Sequence, residues 1–491
     1  MRMSHWGVAT PVLALLGLRP GEGRRTGLLF AYLLMASSVF ILGRTVRDTL
    51  FLSRYSLSAL PWMFVLYGVA SALTVVLYAR FADRIARGKL VVITVAVGCA
   101  TYLVAYALVL ADIAAVYPIF YVWSEMVANL LIVQFWTMAN DLHDPRSARR
   151  LFPTIGAARV AGVVLIGLVS SAIVRLIGTA QLVLVLVGMM LAIAGLAVVL
   201  GREARVETPA SRRRAPPPRV FRDRYVQSLA LFTLLTFAAL TIGDYQFKAI
   251  ARASFREDEL ARFFSLFYAG TGVLALLFQV LLTPRLLQRF GVGFGMSVMP
   301  SVFGVGAAAL LVSPHLAVAT VMKFADNGLQ YTMHETCVQA LYGPFRTEVK
   351  ARTRAVLDAL VKPLAYSLGG LALVVLAPRV SVPMLSIATL VLVAGWLAVI
   401  PVVRRRHIGA LEQTLGARSV EGTEFGWDTL ATRGLLRVLE HGRPSAVLAA
   451  LEQLEGDHSP AFVRTLERLA VSEVGSVRAS ALDRLAQIPD A

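Results

Sequence analysis

The sequence predicts an all-α polytopic membrane protein, with twelve transmembrane helices in two six-helix repeats and a small C-terminal α-solenoid. Three observations lead there. The 491 residues are 57% hydrophobic and 16% charged, mean hydropathy is +0.68, and apolar runs of about 20 residues, the length that crosses a bilayer, follow one another. A membrane β-barrel is excluded, because its strands would alternate apolar and polar residues. The two halves repeat an order of features. Glu125, a basic loop and Arg159 are echoed by Glu335, the loop Arg346 to Arg354, and Lys362. Finally, basic residues gather in the loops after even-numbered spans.

The first span begins near Gly27 and continues without a helix breaker through Arg44, Arg47 and Asp48 to Leu52. Those three charges lie at i, i+3 and i+4 and share a face. They either snorkel at a helix end or line a cavity, and periodicity does not choose between the two. The next spans run from Pro61 to Tyr78, Leu90 to Leu110, Tyr117 to Ala139, Thr154 to Arg175 and Gln181 to Leu200. An Arg- and Pro-rich stretch follows, which predicts an extended, solvated linker. Six further spans are expected from Val226 to Phe247, Leu260 to Leu282, Gly291 to Val312, Leu316 to Leu341, Ala355 to Ala377 and Pro383 to Val402. The resulting divisions are a first half at 1–201, a linker at 202–222, a second half at 223–408 and a tail at 409–491.

The formal charge is +18. Arg80, Arg84, Arg87 and Lys89, then Arg146, Arg149 and Arg150, then the linker, Arg285 and Arg289, and Arg346 to Arg354 all follow even-numbered spans. Both termini are therefore expected in the cytoplasm. The loop after the seventh span departs from the pattern, with four basic residues partly offset by Glu257, Asp258 and Glu259. Topology accounts for the charge, so no nucleic-acid partner is expected. The two cysteines, Cys99 and Cys337, sit in apolar runs, which argues against a disulfide framework, and no metal-ligand spacing is present. The first 26 residues lack a small-residue cleavage site, so no removed signal peptide is expected. There is no Gly-rich phosphate loop followed by Lys-Ser/Thr and no His-Glu-x-x-His, hence no expected catalytic centre, cofactor or metal.

Ten ionisable residues fall in or near the predicted bundle. Arg44, Arg47, Arg159, Lys248 and Lys362 are cationic, and Asp48, Glu125, Asp244, Glu335 and Asp358 are anionic. Charges at that depth are expensive and must pair or face water or substrate. They either brace the two halves internally or form gates whose cations receive an anionic substrate. Asn129 follows Glu125 by one turn, and Asp358, Lys362 and Tyr366 form a polar stripe at i, i+4 and i+8. Asp244 and Lys248 repeat the i, i+4 spacing of Arg44 and Asp48 with signs reversed. His334 is either a proton site or a packed core residue.

The tail carries a repeat. Ser445 to Leu454 matches Ser476 to Leu485 at an offset of 31 residues, which also maps Leu435 onto Leu466 and Leu451 onto Leu482. Stacked helix pairs require such a period, and the stretch from Val477 to Leu482 resembles the second helix of a HEAT repeat. Two units leave apolar end faces, so the tail is expected to dock on the cytoplasmic loops, on another copy or on a protein partner.

Two family resemblances bear on the membrane region. The loop Arg80 to Lys89 loosely resembles the basic loop between the second and third helices of the major facilitator superfamily, with displaced glycines. More specifically, Arg44-Thr-Val-Arg-Asp-Thr-Leu50 resembles a run in the first helix of the ADP/ATP translocases of plastids and intracellular bacteria. The resemblance continues at Ser124 and Glu125, Phe135 and Trp136, Ala139 and Asn140, Ala148 to Phe152, Asp244 to Lys248, and Val349 through Gly370. It covers about Gly27 to Arg406 and not the tail. It implies a nucleotide transporter of major-facilitator type in a bacterial inner membrane, with transport charges at Arg47, Glu125 and Asp244. Arg47 stands where the family has Lys, Asp244 where it has Glu, and Tyr366 where it has a further Lys. These departures bear on strict ATP/ADP exchange more than on transport. A carrier of another organic anion or a proton-coupled solute, and a non-transporting scaffold or sensor with a partner-binding tail, are the competing readings.

Overall fold

The computed structural model describes residues 22–82, 85–143, 145–203, 220–345, 347–416 and 460–486, with isolated positions between 439 and 454. All regular structure among these residues is helical. The first half consists of α1 (Gly23–Arg54), α2 (Leu60–Ala82), α3 (Arg87–Leu110), α4 (Val116–Leu142), α5 (Pro145–Ile177) and α6 (Leu182–Glu203). The second half begins with α7 (Arg224–Ser254), capped by the Asp223 carboxylate, which accepts from the Tyr225 backbone N–H at 2.7 Å. It continues with α8 (Glu257–Leu287) and α9 (Arg289–Val312), with a kink at Gly291 near the start of α9, whose φ of 75° is open to glycine at little cost. The predicted linker lies almost wholly outside the described residues.

The tenth predicted span is helical throughout but wound in three pieces, together called α10. α-Helical Leu316–Phe324 and Glu335–Leu341 flank a π-helical Ala325–His334. Asp326, Asn327 and Gly328 give that centre weak α-helical preference. A π-helical stretch rotates the side chains after it relative to those before it, and such stretches gather at functional sites. A shorter one, Leu357–Val361, interrupts α11 (Val349–Leu376), and α12 spans Leu385–Gly416. Among the described residues, eleven helices are long and apolar enough to cross a membrane; α10, in its three pieces, is not among them. The protein is a multi-pass membrane protein. Val69, Leu73 and Val76 on α2 are 61%, 56% and 65% exposed, an apolar face that only lipid solvates well.

Within the first half, α1 packs on α4, α5 and α6; within the second, α7 packs on α11 and α12. The halves meet along α2–α11 and α5–α8. Advancing each helix by six carries α2–α11 onto α8–α5, so the two seams are equivalent, as two related six-helix units require. Glycine lets the backbones touch at both. A methyl group on Gly68 would lie 2.4 Å from the Pro363 carbonyl oxygen, and one on Gly167 would lie 2.5 Å from that of Ser265. Close approach at small residues is how helices associate without a hydrophobic driving force.

Successive spans alternate in direction, so the bundle has a proximal end, where α1 begins, and a distal end, where it finishes. Several polar links between the halves sit towards the distal end. The Ser170 and Ser265 hydroxyls are 2.9 Å apart, Thr179 Oγ1 donates to Asp258 at 2.7 Å, and Arg54 pairs with Glu257.

In the tail, α13 (Pro460–Leu469) packs on α14 (Gly475–Leu485). They share a core of Leu451, Phe462, Leu466, Val477 and Ala481 with Leu411 at the end of α12. Leu451 and Leu466 are buried, whereas Leu482, predicted to be equivalent to Leu451, is 50% exposed, and Leu435 lies outside the described residues. The tail core is separate from that of the bundle. Truncation after Gly416 is therefore expected to leave the bundle's melting temperature in detergent within about 2 °C of the full chain. A larger drop would show that the tail braces the bundle.

Candidate functional site

Near the distal third of the bundle, α1, α4, α7 and α10 place eight charged side chains in one chain of alternating sign. It starts on α4, where Glu125 Oε2 is 2.9 Å from Arg47 Nη1 and Oε1 is 3.7 Å from Arg44 Nη2. Arg47 Nε reaches Asp48 Oδ1 at 3.4 Å. Asp48 Oδ2 then meets Lys248 Nζ on α7 at 3.1 Å, which carries the chain from one half to the other. Lys248 pairs with Asp244 at 2.8 Å, Asp244 with Lys323 on α10 at 2.5 Å, and Lys323 with Asp326 at 2.5 Å.

The eight charges sum to zero. Asp48 is 0% exposed, Lys248 2%, Lys323 3%, and Arg47 and Glu125 5% each. Each such ion would cost several kcal/mol if buried alone, so the chain holds only while its members stay paired. Aromatic rings complete the shell. Tyr121 offers its face to Arg47 at 4.5 Å and accepts from Lys248 Nζ through its hydroxyl oxygen at 2.9 Å, a second link between the halves. Arg44 lies over Phe40 and Tyr268 at 5.3 and 5.9 Å. The side chains of Arg44 and Asp244 keep 20% and 18% exposure. These two are where a molecule inside the bundle would first meet the chain.

Six of the residues nominated from the sequence come together here: Arg44, Arg47, Asp48, Glu125, Asp244 and Lys248. Asn129 is close by, and its amide donates to the Glu125 backbone carbonyl at 2.9 Å. Arg159 is half-buried on α5, a helix that contributes no member to the chain. Glu335, Asp358 and Lys362 lie elsewhere, in a proximal pocket of the second half, where Lys362 pairs with Asp358 at 2.6 Å. Tyr366 stacks edge-on against Tyr67 across the halves at 5.4 Å and tilts against Phe237. His334 is buried between Phe232 and Trp396.

Sequence reasoning missed Lys323 and Asp326. The available signal was two opposite charges at i, i+3 within a predicted span. Among the described residues no cluster has metal-ligand geometry. The arrangement can bind and release anions by exchanging carboxylate partners for a ligand's oxygens, and it can hold or release the two halves.

Comparison with known proteins agrees with the resemblance seen in the sequence. Residues 113–202 match the family model of the TLC ATP/ADP transporter. The chain is similar to the ADP,ATP carrier protein 1, chloroplastic, of Arabidopsis thaliana, with 22% identity over 327 residues, 57% of this chain and 52% of that one. It is also similar to the plastidic ATP/ADP-transporter of Solanum tuberosum, with 22% identity over 326 residues, again 57% and 52% of the two chains. The match thus spans about half the length of these relatives. In fold the chain is similar to the POT family transporter PepTSo, with a TM-score of 0.59 and 12% identity, covering 80% of this chain and 99% of that one. The nucleoside transporter NupG gives 0.55 and 12% over 81% and 99%, and the xylose transporter XylE from E. coli gives 0.53 and 13% over 77% and 94%. The chain shares its overall fold with these solved structures.

Proposed function

We propose that the protein is a secondary transporter that exchanges nucleotides, ATP against ADP, across a bacterial inner membrane by alternating access. In this reading both termini and the proximal end face the cytoplasm. Residues 1–201 and 223–408 form the two moving halves, 202–222 connects them, and 409–491 is an accessory tail that binds a cytoplasmic protein. The observation that carries the proposal is the neutral charge chain that joins the halves through Asp48 and Lys248. Separating the halves at the distal end would break that link and strand ions in a medium of low dielectric constant. A polyanionic substrate supplies replacement partners to Arg44, Arg47, Lys248 and Lys323. The empty carrier therefore pays a barrier that the loaded carrier avoids, and transport becomes exchange. The matched family model and the printed names of the curated relatives support nucleotides as the anion.

Labelled ATP is expected to enter proteoliposomes containing the full chain when ADP is inside, and not when they are empty. No uptake of any nucleotide by folded protein would overturn the reading. A carrier of a different organic anion is the alternative, favoured by Tyr366 and its packing between Tyr67 and Phe237, where the resemblance places a lysine. The same vesicles loaded with other organic anions separate the two.

Glu125→Gln and Asp244→Asn retain polar groups of similar size but remove the carboxylates that hold two cations each. Each is expected to lower exchange by about tenfold or more, since partner switching then lacks its return ligand. Melting temperature should change less than uptake. A variant exchanging at the wild-type rate would assign that carboxylate to structure.

A further inference from the structure

Proximal to the charge chain, α7, α10 and α11 line a partly open pocket whose walls include Phe237, Gln330, His334, Gln339 and Tyr342. Its charges are already satisfied. Lys362 and Arg354 both pair with Asp358, at 2.6 and 3.6 Å, and Glu335 accepts from Gln339 Nε2 at 2.6 Å. With two carboxylates facing the space, the pocket is a poor receptor for phosphate. What it offers instead is neutral hydrogen-bonding capacity between aromatic walls. His334 is 5% exposed, and its Nδ1 is buried with no hydrogen-bond partner. The ring is held parallel to Phe232 at 5.5 Å and edge-on to Trp396 at 5.8 Å, so it cannot readily turn to find a partner elsewhere. A buried imidazole nitrogen without a partner, on a residue that lines a pocket, is a group whose hydrogen bond a ligand can complete.

We infer that this pocket receives the nucleoside end of the substrate, with His334 and Gln330 hydrogen-bonding the base and Tyr342 against its face, while the phosphates lie at Lys248 and Lys323. The inference rests on the exchange reading and adds to it a polarity and a base-recognition site. Along α7, Phe237 precedes Asp244 by seven residues, about 10 Å at 1.5 Å per residue. An extended nucleotide covers that span between its base and its outer phosphates. The division of chemistry fits the two ends of such a molecule. The charge chain presents exchangeable cations, and the pocket presents amides, an imidazole, carboxylates for ribose hydroxyls and aromatic rings for stacking.

The test compares binding of ATP, adenosine and inorganic tripolyphosphate to the full chain in detergent, for wild type, His334→Phe and Gln330→Leu. His334→Phe keeps the stacked ring, and Gln330 is only half-buried, so the second variant stands if the first misfolds; thermal melting reports folding. Adenosine is expected to compete with ATP on the wild type. Each variant is expected to weaken ATP and adenosine by roughly tenfold, the loss of one buried hydrogen bond, with tripolyphosphate binding unchanged. Equal weakening of ATP and tripolyphosphate, or no change in either by folded protein, would overturn the site. A wild type that binds neither ATP nor tripolyphosphate would remove the nucleotide reading itself, and this site with it.

Discussion

Replacing Lys248 by glutamine is expected to lower ADP-driven ATP uptake by about 100-fold or more and to destabilise the protein by about 3–5 kcal/mol. Lys248 forms ion pairs or hydrogen bonds with both halves, through Asp48 and Tyr121 on one side and Asp244 on the other. Its loss leaves Asp48, which is 0% exposed, facing only Arg47 at 3.4 Å. Much of the stability cost is this stranded carboxylate rather than the lost pair itself. The double variant Lys248→Gln with Asp48→Asn removes both charges and keeps the chain neutral. It is expected to regain most of the melting temperature and none of the uptake. If the double variant exchanges nucleotide at the wild-type rate, Lys248 braces the bundle and does not bind substrate.

Lys323→Gln carries the second large expected effect. Lys323 holds both Asp244 and Asp326, and its removal concentrates two carboxylates with only Lys248 to offset them. Exchange is expected to fall by more than about tenfold, and stability by about 3 kcal/mol. Pairing the change with Asp326→Asn restores neutrality and so separates the two losses, since stability should recover and uptake should not. The informative readout is the preference among ATP, ADP and AMP. A cation that meets phosphate should, when removed, weaken the more highly charged substrates most. An unaltered preference together with unaltered uptake would leave Lys323 as a structural partner of Asp244.

The difference between Lys248 and Lys323 in legibility is instructive. Both are buried lysines paired to an aspartate on their own helix. Lys248 stood out because Asp244 to Lys248 repeats, with reversed signs, the spacing of Arg44 and Asp48 on the equivalent helix of the first half, and because it falls in a stretch that resembles the ADP/ATP translocases. Lys323 had neither support. Its partner is three residues on, at the entry to a π-helical stretch that an α-helical period does not describe. The polar stripe read from Asp358, Lys362 and Tyr366 was visible for the same reason that Lys248 was. The structure divides it, with the first two in the proximal pocket and Tyr366 in an aromatic stack at the seam between the halves.

By itself the sequence determined the class of protein, the order of its apolar helices, the two-half organisation and six of the eight members of the charge chain. Each of these follows from a local cost. A bilayer demands runs of fixed length, and a charge within such a run is too expensive to be incidental, so both are visible one residue at a time. Which charge meets which, and that the chain closes across the halves at Asp48 and Lys248, was decided only by the tertiary structure. So was the rotation that sets Lys323 beside Asp244 and leaves His334 Nδ1 buried without a partner. Pairing over a few ångströms depends on helix tilt, rotation and close approach at residues such as Gly68 and Gly167. Those variables are fixed by packing between segments far apart in the chain, and a one-dimensional period does not contain them.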